Sequence, residues 1–234
     1  SNTNGSITSS VSANPSAGFS IVSYTGNQTS GATVGHGLSQ PAEMLILKNR
    51  DSASFSWPVY HAKNTSAPAT DYLYLNETQA TSDQIKFWND TAPTSTVFSL
   101  GDSSTPNANG AAYIAYAFHS VDGYSKVGSF IGNGSETAGP FVYCGFKPKF
   151  VLVRRATDVG SWFLFDTERS PYNVMNAKLS AENSGAEESD TSWNIDFLSN
   201  GFKLRSPHVY MNSGSNTHVF LAFAESPFKH SNAR

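Results

Sequence analysis

Cysteine occurs once in the 234 residues, at Cys144, so the chain cannot close a disulfide within itself and gives no direct sign of an oxidising compartment. Charge is scarce as well: 14% of residues are charged, 15 basic against 18 acidic, for a net charge of -3. There is no basic run that could neutralise a row of phosphates, which argues against nucleic acid as a partner. No apolar run approaches the length of a bilayer span, and residues 1–17 lack the apolar core of a signal peptide, so no membrane insertion is expected. The chain opens at Ser1, as a processed product or the end of a longer polypeptide would. A Gly-x-Ser-x-Gly elbow, a phosphate-cradling glycine loop and a dinucleotide fingerprint are all missing; Gly132-Asn133-Gly134 lacks the third glycine and the helix that should follow it. These absences leave no catalytic residue to nominate and no cofactor to expect, and the chain reads as a non-enzyme.

What fills the sequence instead is aromatic residues, at 13%, in short apolar runs separated by Ser, Thr, Asn and Gly, the composition of many strands joined by turns. The runs also recur. Tyr24-Thr25-Gly26-Asn27 returns as Phe130-Ile131-Gly132-Asn133 after 106 positions, Trp57 returns as Trp162 after 105, and Val97 to Leu100 returns as Gly201 to Leu204 after 104. Separation so nearly constant marks an internal duplication of a domain-sized unit. The expected architecture is all-β: two tandem, internally duplicated antiparallel β-sandwiches of jelly-roll type with little helix. Residues 1–17 form an arm or linker, 18–122 the first copy, 123–229 the second and 230–234 a tail. Exchange of strands between the copies into one body is the alternative. The best-preserved strand, Tyr113 to Phe118, carries Ile114, Tyr116 and Phe118 on one face and Ala115 and Ala117 on the other. It reads as a central strand whose alanine face packs closely against a second sheet, the sister copy or another subunit.

Four tryptophans are the candidate ligand-binding residues, because an indole face can stack on a sugar ring. Trp57 and Trp162 occupy one position in the two copies, which favours a core anchor; Trp88 and Trp193 lie in loop-like segments and are better placed for exposure. His61 and Asp166 also share a position, but their spacing does not require a dyad. The histidines lack zinc-ligand spacing, and no metal site is expected from them. Glu182, Glu187, Glu188 and Asp190 form either a solvated loop or an oxygen-ligand site for calcium. The carboxylate pairs Asp166 with Glu168 and Asp71 with Glu77 are available for glycoside hydrolysis but carry almost no signal. Cys144, within Phe141-Val142-Tyr143-Cys144, reads as a small buried hydrophobe on a strand.

One set of segments resembles a known family. Gly18 to Asn27, Val34-Gly35-His36-Gly37-Leu38, Val59-Tyr60-His61, Trp88-Asn89-Asp90-Thr91, Pro93 to Gly101 and Ile195 to Lys203 together look like a duplicated β-rich domain of tailed-bacteriophage structural proteins, often at the C-terminal end of virion or tail-fibre-like chains. The resemblance implies a virion protein, assembled in the host cytoplasm and displayed on the particle or its tail, with other virion proteins as partners and a homo-oligomer, a trimer by analogy. Host attachment through cell-surface glycans is the implied task, and a decoration or appendage subunit without receptor binding is the alternative; a glycan-degrading depolymerase is the poorer third. The family brings no active-site residues.

Overall fold

The computed structural model describes residues 1–226, so the tail expected at 230–234 lies outside the described residues. The chain is 41% strand and 8% helix, arranged as antiparallel sheets in two β-sandwich-like units. The first unit holds Ser1–Glu77 and Thr81–His119; the second holds Thr78–Ala80 and the chain from Ser120 onward. The change of unit thus falls between His119 and Ser120, three residues earlier than the expected boundary, because Val121 already pairs with Ser125. Thr78–Ala80 belongs to the second unit through its backbone carbonyls: Gly160 N donates to Thr78 O at 2.8 Å, and the Arg154 guanidinium donates to Gln79 O.

In the first unit the elements are β1 (Ser9–Asn14), β2 (Phe19–Thr25), β3 (Ala32–Gly35), β4 (Met44–Asn49), β5 (Pro58–His61), β6 (Asp71–Tyr74), β7 (Ser82–Asp83), helix α1 (Ile85–Trp88), β8 (Val97–Leu100), helix α2 (Ser104–Asn107) and β9 (Ala112–Phe118). One sheet runs β1-β2-β9-β4-β5-β6-β7 and faces the pair β3-β8. Along β9 burial alternates so that Tyr113, Ala115 and Ala117 enter the core with Val22, Tyr24, Leu45 and Leu47, while Ile114, Tyr116 and Phe118 take the other, half-buried face. The alanine face is therefore the core face of an internal strand. Tyr24 and Tyr113 stack at 5.1 Å and 10°. Pro58, which has no N–H for a ladder, starts β5.

Residues 1–17 are not a free arm. Ile7 is buried, β1 pairs with β2 in register from Ser9↔Tyr24 to Asn14↔Phe19, and Ile7 forms a parallel bridge with Val34. The segment is polar because it is an edge: its pairing comes from backbone groups, so alternation of side chains is weak.

The second unit repeats this order with β10 (Ser125–Ile131), β11 (Phe141–Tyr143), β12 (Pro148–Arg155), β13 (Phe163–Asp166), β14 (Ala177–Ser180), β15 (Glu188–Ser189), β16 (Ile195–Leu198), β17 (Gly201–Leu204), helix α3 (Val209–Asn212) and β18 (Thr217–Ala224). Its sheets run β10-β18-β12-β13-β14-β15 and β11-β17-β16. Strand for strand, β10 answers β2, β18 answers β9, β12 answers β4 and β11 answers β3. Among the described residues, nothing in the second sheet order answers β1.

Each unit closes its sheet ends with the same buried asparagine. Asn107 Oδ1 accepts from Asn27 N at 2.9 Å and its Nδ2 donates to Gly101 O at 2.8 Å and Thr29 O at 3.3 Å. Asn212 repeats the arrangement with Asn133 N at 2.9 Å, Ser206 O at 3.1 Å and Ser135 O at 2.9 Å. Gly26 and Gly132 sit beneath these turns where a Cβ would lie 2.3 Å from Ala108 O and 2.2 Å from Ser213 O. Only glycine fits at either place.

Candidate functional site

Two of the four tryptophans lie in the cores of their own units. Trp162 is fully buried, with the Arg154 guanidinium 5.5 Å from its ring centre, and Trp88 is buried with Nε1 donating to Asp71 O at 2.9 Å. Both are corrections to the expected ligand role: a ring enclosed on both faces by its own unit has none left for a sugar. Trp193, half-buried, is flanked by Phe163 at 4.8 Å, His208 at 4.4 Å and the Lys178 ammonium at 4.8 Å. Trp57 is also half-buried; Lys48 Nζ lies 5.6 Å from the ring centre, and its amide donates to Asn76 Oδ1. The equivalence of Trp57 and Trp162 extends to their partners, since Lys48 answers Arg154 and Asn76 answers Glu182, whose carboxylate accepts from Trp162 N. What repeats is an anchor for a strand start, with a cation laid on the indole.

The acidic and titratable candidates are each engaged locally. Glu187 pairs with Arg169 at 2.8 Å, Glu188 with Lys178 at 2.9 Å, Glu182 holds the Trp162 amide, and Asp190 caps Ser192 N at 2.7 Å. Among the described residues, no group of three or more His, Cys, Asp or Glu is placed to hold a metal ion. Asp166 pairs with Arg169 at 2.6 Å, which with the backbone donors of Glu168 and Arg169 outweighs desolvation and lowers its pKa. Glu168 pairs with Lys149 at 2.6 Å. Asp71 accepts from Thr65 and Thr70, Glu77 from Ser56, and His61 Nδ1 from Lys63 N at 3.2 Å. Neither carboxylate pair is left poised as acid and base. Burial pushes the Cys144 thiol up to about 12, so it is a protonated core group and not a nucleophile.

The surface feature that stands apart belongs to the second unit. On β11 the side chains alternate around buried Val142, leaving Phe141 45% and Tyr143 67% exposed at the edge of their sheet. Beside them opens a cleft of about 330 Å³, lined by Tyr143, Cys144 and Gly145 on one side and by Ser120, Asp122 and Lys126 on the other. Tyr172, 83% exposed, is a third aromatic in solvent. None of the three is a tryptophan, the residue chosen for its sugar-stacking face; the signal for β11 was present in Pro140-Phe141-Val142-Tyr143-Cys144-Gly145, two large aromatics astride one β-branched residue.

With this geometry in view, comparison with known families gives one match: residues 1–227 fit the profile of DUF7483, a domain of unknown function. The chain belongs to the DUF7483 family. No curated protein and no solved structure matches it. The match begins at residue 1, so the family profile includes the segment that forms β1. No helix among the described residues is long and apolar enough to cross a membrane.

Proposed function

We propose that this DUF7483 chain is a non-enzymatic structural module of a tailed-phage particle, a decoration or appendage subunit that works by binding other virion proteins. The observation that carries the reading is the open aromatic edge of β11: a charge-poor body offers a sheet edge with Phe141 and Tyr143 in solvent. Such an edge suits protein–protein pairing. Proteomics and immunogold labelling of purified particles test the assignment; the chain is expected at a fixed copy number in a symmetric array, and its absence from particles defeats the proposal.

A second reading is host attachment through cell-surface glycans. It is favoured by the exposed Tyr172 and by the half-buried Trp57, which could act weakly and gain about 10²- to 10⁴-fold from display in many copies. A glycan array probed with the assembled protein and with Tyr172→Ala separates the readings: binding lost in the variant supports attachment, and no binding by the intact protein removes it.

A further inference from the structure

We propose that the second unit is an acceptor for an extended strand of a different polypeptide, received along the edges of β11 and β10 where the first unit is covered by its own residues 2–12. The duplication supplies the template. In the first unit the outer edge of β3 is occupied: Ile7 N donates to Thr33 O at 2.9 Å, Ser6 and Thr33 exchange backbone-to-hydroxyl bonds at 2.9 Å each, and Ser9 Oγ donates to Gly35 O at 2.8 Å. The same segment then runs along β2 as β1, with Val11 so close over Gly37 that a Cβ there would lie 2.7 Å from its Cγ1.

The second unit keeps the frame, and among the described residues it has no strap. Phe141 and Tyr143 stand where Thr33 and Gly35 stand, and Gly145, with φ 87°, stands where Gly37 stands with φ 71°. Leu204 N donates to Pro140 O and Cys144 N to Asn200 O, so the alternation of an antiparallel pair turns the amides and carbonyls of Phe141 and Tyr143 to the outside. A Cβ on Gly145 would meet nothing nearer than Tyr143 Oη at 3.6 Å. The cleft is lined in part by Gly145, which answers the Gly37 that lies beneath Val11 and Ala13 in the first unit. On β10 the first rungs are taken, by Val121 pairing with Ser125 and by Ser120 Oγ accepting from Val127 N. Farther along, Ser129 is exposed and Ile131 is 58% exposed.

Val121 therefore stands in for Asn14, and the vacancy corresponds to residues 2–12. The occupant that fits is an extended, uncharged, serine- and glycine-rich segment with a β-branched residue at the positions of Ile7 and Val11. Among the described residues the segment of that chemistry is already seated in the first unit, and the occupant proposed is a strand of another protein. The inference rests on the structural-module reading only for the setting of that partner; binding is measured on purified protein, so its failure is distinct from absence from particles.

The probe is a synthetic peptide of residues 1–12, added to the full chain and also tethered to its C-terminus by a flexible Gly/Ser linker, which gives millimolar effective concentration. Hydrogen exchange should slow about tenfold or more at the Phe141 and Tyr143 amides and along residues 128–131, with a scrambled peptide inert. Tyr143→Pro, which removes an edge donor, should abolish the effect; should that variant not fold, the exchange map of the unmodified chain decides. Three results overturn the proposal: no protection even when tethered, protection confined to the first unit, or β11 already protected by self-association of the peptide-free chain.

Discussion

Replacing Asn107 by alanine removes three side-chain hydrogen bonds from a fully buried position. They are not equal. Gly101 is buried, so its carbonyl loses its partner where water does not replace it, at a cost of about 1–3 kcal/mol. Asn27 and Thr29 are exposed and their backbone groups rehydrate, so each bond there contributes roughly 0.5–1.5 kcal/mol at most. The expected loss is about 3 kcal/mol, a large part of the 5–15 kcal/mol typical of a domain. Asn107→Asp should be worse at neutral pH, because a carboxylate oxygen then faces the Gly101 carbonyl where an N–H had donated, and it should recover in acid as a protonated carboxyl donates again. Urea denaturation gives the total, and exchange at the Asn27 and Gln28 amides reports the local opening. Asn212→Ala should cost a similar amount through Ser206, whose carbonyl is also buried. A loss below about 0.5 kcal/mol in both variants would refute the view that these asparagines close the sheet ends.

Trp162→Ala should cost about 3–5 kcal/mol, whereas Trp57→Ala, at a half-buried ring, should cost markedly less; equal losses in thermal melts would contradict the placement of the two indoles. Gly37→Ala adds both left-handed strain and a clash with Val11, so it should free the N-terminal segment to limited proteolysis, while Gly145→Ala carries the strain alone and should leave that segment protected. Burial lowers the His218 pKa from 6.5 to about 4, more than the bond with the Asn216 carbonyl raises it. The unfolded state then binds the proton more readily. His218 therefore contributes no penalty above its unfolded pKa, and stability falls as pH drops from about 6.5 to 4, by roughly 3 kcal/mol in all. His218→Phe should flatten that part of the stability–pH curve, and an unchanged slope would show that another group carries it.

The duplication, the all-β class and the parity of Tyr113 to Phe118 were legible in the sequence because each is a local property: strand periodicity and turn residues are set within a few positions and survive copying. The choice among partners for the alanine face was not, since a small side chain permits close approach without naming what approaches; packing made it the core of its own sandwich. Residues 1–17 misled for a related reason. An edge strand is held by backbone hydrogen bonds, which leave little trace in side-chain pattern, so a polar, paired strand looks like a linker. The tryptophans misled in the opposite direction, because an indole has the same chemistry in a core as in a binding site and only enclosure by Arg154, Asp71 or Phe163 separates the two.

By itself, then, the sequence determined that one β-unit is written twice, with Gly26-Asn27 and Gly132-Asn133 at matching turns and Trp57 and Trp162 at matching strand starts. Tertiary structure alone decided that the copies are unequal. The first is sealed by a strand that precedes it in the chain; the residues preceding the second are already committed to β9, so among the described residues its β11 edge is open. A missing neighbour strand is a fact of topology, and no residue on β11 encodes it.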